Sequence, residues 1–130
     1  LDRFMVYSYE RKVAMALSEF TLKLVEKKLG DYCQGRVHEG LCHRIRIGYA
    51  VEGDLVTLFE ERPGLLDPEK WVRLDMARFR FDPRTKRWSL YYVDADSKWH
   101  SYYLKPRADI EIFLREIDED PVRVFWWGQG

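Results

Sequence analysis

Asp94, Asp96, Lys98 and His100 fall on alternate positions of one short stretch, and their types could do hydrolytic chemistry. A metal-dependent hydrolase or nuclease needs carboxylates that converge on a divalent ion and a lysine that positions the attacking water. The Asp-x-Lys spacing offers that pair, and Glu60 is the one further acid that could join it. The competing reading is local, because Asp in a turn hydrogen-bonds its own backbone and His100 beside tyrosines is an ordinary sheet residue. Nucleophilic chemistry has less to work with. Ser89 and Ser101 lack a nucleophile elbow, and Gly128-Gln129-Gly130 only ends the chain rather than cradling a phosphate.

A second cluster, Cys33, His38, Cys42 and His43, collects zinc-ligand types. The two-residue gap that pairs ligands in zinc modules is missing, and Cys33 lies on an apolar stripe where a thiol is ordinary packing. The residues therefore imply no metal and no cofactor. A third constellation is a mixture of cations and flat rings in the middle of the chain: Arg78, Arg80, Arg87, Tyr91, Lys98, His100 and Tyr102. Cations neutralise phosphates and rings stack on bases, so such a face suits a polyanion, single-stranded nucleic acid or a protein partner.

The elements that must position these groups follow from periodicity. From Ser18, a good N-cap, Leu22, Val25, Leu29, Tyr32 and Cys33 recur at helical spacing and predict an amphipathic helix ending near Gly35. Ile45, Ile47, Tyr49 and Val51 alternate with polar or small residues, and Gly53-Asp54 turns them into a second strand over 55–61. Pairing Val51 with Val56 sets Tyr49 opposite Leu58 and Arg46 opposite Glu61, an expected cross-strand ion pair. Residues 62–70 are rich in Pro and Gly and read as a loop.

Strands are expected over about 72–81, 87–93 and 98–104, joined by turns at 82–86 and 94–97 into a meander. If Val93 pairs with Lys98, then Ala77, Phe79, Phe81, Trp88, Leu90, Tyr92, Trp99, Ser101 and Tyr103 share the core side. Arg78, Arg80, Arg87, Ser89, Tyr91, Lys98, His100 and Tyr102 then share the other. Ile110, Phe113, Leu114 and Ile117 mark a closing helix stopped by Pro121, and Phe125-Trp126-Trp127 is too apolar to sit idle in water. The fold class is α+β: an N-terminal helix, an antiparallel sheet of about five strands, a C-terminal helix and an apolar tail.

The 130 residues bound the answer further. Twenty-two Lys and Arg balance 22 Asp and Glu, 46% of residues are hydrophobic and only two are Cys. No apolar run approaches the roughly 20 residues that cross a bilayer, and no secretory leader is visible, so a cytoplasmic protein with reduced cysteines is expected. Neutrality conceals an asymmetry. Residues 71–107 hold nine cations against four acids, a net of +5, whereas residues 108–120 hold one cation against six acids, a net of −5.

The stretch from Phe81 to Tyr103, above all Asp96-Ser97-Lys98-Trp99-His100, resembles the signature of a bacterial family known only as a domain of unknown function. The start at Met15-Ala16-Leu17-Ser18-Glu19-Phe20, the Phe59-Glu60-Glu61-Arg62-Pro63 stretch and the Phe125-Trp126-Trp127-Gly128 end carry the same resemblance. It implies one domain over 15–130 behind an extension at 1–14, and brings no activity, substrate or cofactor. The leading expectation is a small binding or interaction module that is not an enzyme and works through the basic, aromatic sheet face. The alternative is the hydrolase centred on Asp94, Asp96, Lys98 and His100. A third reading makes Phe125, Trp126 and Trp127 the contact of a homodimer.

Overall fold

A computed structural model describes residues 17–34 and 45–126. The first helix, α1 (Glu19–Gln34), begins where expected: the Ser18 hydroxyl accepts the Thr21 N–H at 3.1 Å, and the Ser18 carbonyl accepts the Leu22 N–H. Its apolar stripe buries Val25, Leu29, Tyr32 and Cys33, while Lys23, Lys27 and Asp31 face water. The helix α2 (Ile110–Glu119) is capped by the Asp109 carboxylate, which accepts the Glu111 N–H, and buries Ile110, Phe113, Leu114 and Ile117. It stops at Asp120, which takes a left-handed φ of 42° before Pro121.

Between the helices runs an antiparallel sheet in sequence order: β1 (Arg46–Glu52), β2 (Leu55–Pro63), β3 (Trp71–Asp82), β4 (Arg87–Val93) and β5 (Trp99–Ser101). The β1–β2 register is the expected one, with Val51 opposite Val56, Tyr49 opposite Leu58 and Arg46 opposite Glu61. Gly53, at φ 65°, supplies the positive φ that a two-residue connection needs. The Arg46 guanidinium lies 3.5 Å over the Trp71 ring rather than in the expected ion pair with Glu61. β2 runs two residues further into the expected loop, to Pro63, and β5 is shorter than expected, giving way after Ser101 to an irregular segment tied back by the Trp88–Arg107 bridge.

Both helices pack on one face of the sheet. Phe79 of β3 and Phe113 of α2 stack at 6.5 Å, and Val25, Leu29, Phe113 and Ile117 share one core with Val56, Leu58, Ala77, Trp88 and Leu90. Phe125 is fully buried against Tyr102, and the Trp126 indole N–H donates to the Ile117 carbonyl at 2.8 Å. The described part of the apolar tail thus packs on its own core. Trp127 lies outside the described residues.

Two features escape simple alternation. Leu58 pairs with Ala77 but Phe59 pairs with Asp75, so Met76 is an extra residue in β3, buried in the core. The bulge reverses the alternation upstream, sending Trp71, Arg73 and Asp75 to the face away from the helices. The second feature corrects an expectation. Val93 pairs with Trp99, not with Lys98. Asp94 pairs with Lys98 around a three-residue loop, closed by the Asp94 N–H on the Lys98 carbonyl and by Ser97 at φ 65°. One residue of slip exchanges every side chain of β5 between faces.

Candidate functional site

The face away from the helices, here the outer face, is where the cations and rings meet. Arg78, Arg80, Arg87 and Tyr91 lie on it as expected. Because of the slip, Trp99 and Ser101 join them, whereas His100 and Tyr102 turn to the helix side. The structure thus keeps four of the seven expected binding residues together and removes His100, Tyr102 and Lys98. Tyr102 is 3% exposed and donates its hydroxyl to Glu116 Oε2 at 2.7 Å. Burial, reinforced by the Glu116 carboxylate, raises its pKa well above the ordinary tyrosine value. Lys98 is exposed in the turn.

Three arginines of the outer face are held on three rings. Arg46 lies over Trp71 at 3.5 Å, Arg73 over Phe59 at 4.1 Å and Arg78 over Trp99 at 4.1 Å. Arg78 also donates Nε–H to the Thr57 hydroxyl at 3.1 Å, and burial lowers its pKa from the ordinary guanidinium value. Since Thr57 stands on β2 and Trp99 on β5, the Trp99 side chain folds back across β4 to meet Arg78. This explains how Thr57 and Val93 are buried on a face that no described helix covers. Phe59 leans over Gly48, where an added Cβ would meet the ring at 2.9 Å, so glycine is what admits the Phe59–Arg73 stack.

Reasoning from sequence missed Arg46, Phe59, Trp71, Arg73 and Trp99. Their signal was the interleaving of Arg with aromatic residues in β1 to β3, but the bulge at Met76 hid which of these share a face, and the slip in β5 hid Trp99. On this face Arg46, Arg73, Arg78, Arg80 and Arg87 stand with Glu52, Glu61, Asp75 and Asp82, five cations against four acids. Arg73 Nε is 2.8 Å from Asp75. The face is rich in arginine without being strongly basic.

The hydrolytic constellation is drawn into a turn. Asp94 Oδ1 accepts the N–H groups of Asp96 and Lys98, at 2.8 and 2.9 Å, and Oδ2 lies 2.6 Å from His100 Nε2. The imidazole contact, then the backbone donors, hold the Asp94 carboxyl below its ordinary 3.8. His100 stacks on Tyr92 at 5.3 Å, and Asp96 meets Asp94 through its backbone N–H. Glu60 is buried on the helix side with Arg62 at 2.8 Å. Among the described residues no group of three or more His, Cys, Asp or Glu could hold a metal. Cys33 is buried in the α1 stripe, and His38, Cys42 and His43 lie outside the described residues.

Glu111, Asp118 and Asp120 find partners on the helix side of the sheet. Glu111 pairs with Lys28 at 3.2 Å, Asp118 accepts the Tyr32 hydroxyl at 2.9 Å, and Asp120 accepts the N–H groups of Val124, Phe125 and Trp126. Acidic helix and arginine face lie on opposite sides of the sheet.

Among the described residues, fold and site together define an α+β domain with an open five-stranded antiparallel sheet, two helices on one face and an arginine–aromatic lattice on the other. The chain belongs to the family described as Domain of unknown function (DUF3024), whose sequence model matches residues 17–127. No curated protein and no solved structure matches it. No helix among the described residues is long and apolar enough to cross a membrane.

Proposed function

We propose that this domain is a protein-binding module whose working surface is the outer face of the sheet. One observation carries the reading: Arg46, Arg73 and Arg78 are each fixed on an aromatic ring, on a face that neither described helix covers. Tryptophan, tyrosine and arginine are the residues that dominate binding energy at protein interfaces, and this face holds Trp71, Trp99, Tyr91 and five arginines. Stacking restricts the arginine rotamers before a partner arrives, which lowers the entropy lost on association. The near balance of cations and acids favours a protein partner over a polyanion, because phosphate recognition needs an excess of cations.

The test compares two titrations. Single-stranded oligonucleotides, followed by the protein's tryptophan fluorescence, are expected to bind no more tightly at 50 than at 200 mM salt; a steep salt-dependent affinity overturns the protein reading in favour of nucleic acid. Proteins captured on the immobilised domain are expected to be lost at least tenfold from the folded Trp71→Ala and Arg73→Ala variants. Equal recovery from variants and wild type overturns the assignment of the face.

A further inference from the structure

We propose that the upstream half of β3, residues 71–75, takes up an extended peptide of the partner as an added strand, with alternating acidic and apolar side chains. This rests on the outer face being the protein-binding surface. β3 is twelve residues long, but β4 pairs only with residues 77–82. Beyond the bulge at Met76 the lane that β4 would fill is empty among the described residues.

The ladder fixes which backbone groups point into that lane. The Gly64 N–H donates to the Lys70 carbonyl, so residues 70, 72 and 74 turn their backbone groups toward β2. Trp71, Arg73 and Asp75 therefore turn their N–H and C=O groups outward. Natural sheets protect such an edge, yet this one carries Trp71, Val72 and Leu74, exposed at 40%, 46% and 39%. A groove of about 430 Å3 lies alongside, with Arg73, Leu74, Asp75, Val93, Asp94 and Trp99 among the residues that wall it. Five residues of strand span about 17 Å, a short recognition segment.

The occupant is a partner's peptide rather than a second copy of this chain. An antiparallel pair of β3 edges that set each Arg73 against the other copy's Asp75 would bring Trp71 of one copy opposite Ala77 of the other, a position already taken by Tyr92. Shifting by two residues sets Arg73 against Arg73, which repels. A foreign strand has neither problem. Its residue opposite Arg73 shares the outer face with Arg46 and Arg73 and suits Asp or Glu, whereas its neighbours lie beside Val72 and Leu74 and suit Val or Ile.

The probe is a labelled peptide of sequence Val-Glu-Val-Glu-Val-Glu-Val, with Lys in place of Glu as its charge-reversed control. Fluorescence anisotropy is expected to show at least tenfold tighter binding of the Glu peptide. Amide exchange is expected to slow at Trp71 and Arg73 and to stay unchanged at Val72 and Leu74, which β2 already protects. No preference between the peptides, or binding without protection of Trp71 and Arg73, overturns strand addition. The outer-face reading stands apart from that result, since it is judged by capture on the Trp71→Ala and Arg73→Ala variants.

Discussion

Asp94 is the residue whose chemistry the fold redirects. Its type and spacing suggest a catalytic carboxylate, but both oxygens are occupied in closing the loop that places β5. Because its folded pKa is held below the ordinary 3.8, its stabilising contribution is full above that value and is lost as pH falls through the lowered folded value. Urea unfolding at pH 6 and pH 3 is expected to show a larger loss for the wild type than for Asp94→Asn; equal losses would contradict it. Tyr102, a ligand contact by strict alternation, is a buried anchor for Glu116 in the fold. Tyr102→Phe is expected to cost about 1–3 kcal/mol in denaturant unfolding, since it removes the closest donor of a part-buried carboxylate. The slip that separates these two outcomes was not legible in composition, because Ser97, not a glycine, takes the positive φ.

At the scale of elements, the helices and the first hairpin were legible because each has a strong local signal: the Ser18 and Asp109 caps, the apolar stripes, and the Gly53-Asp54 turn. The long β3 was legible only in its downstream half, where Ala77, Phe79 and Phe81 alternate. Upstream, Met76 shifts the period, and nothing in an isolated strand announces an extra residue. Deleting Met76 leaves Leu58 opposite Ala77 and Phe59 opposite Asp75 in an unbroken ladder, so Arg73 and Asp75 stay on the outer face; circular dichroism is expected to show a native spectrum with a lower melting temperature from the lost Met76 side chain, and an unfolded chain would contradict this account of the bulge. Phe113→Ala, which removes the α2 ring from Phe79, is expected to cost about 3–5 kcal/mol in unfolding free energy.

For the whole molecule, a total charge of zero resolves into two sides: an acidic helix bonded to its own tyrosines and caps, and an arginine–aromatic sheet face left uncovered by the described elements. The apolar tail closes the core from the helix side. Truncation after Arg123 removes Phe125 and Trp126, and is expected to unfold the domain rather than dissociate a dimer. The central claim is that partners meet the outer face. A photoreactive phenylalanine placed at Arg80, on that face, or at Arg115, exposed on α2, tests it directly in cells expressing the chain. Discrete protein adducts from position 80 and none from position 115 are the expected result. Adducts from position 115 alone, or from neither, would contradict the account.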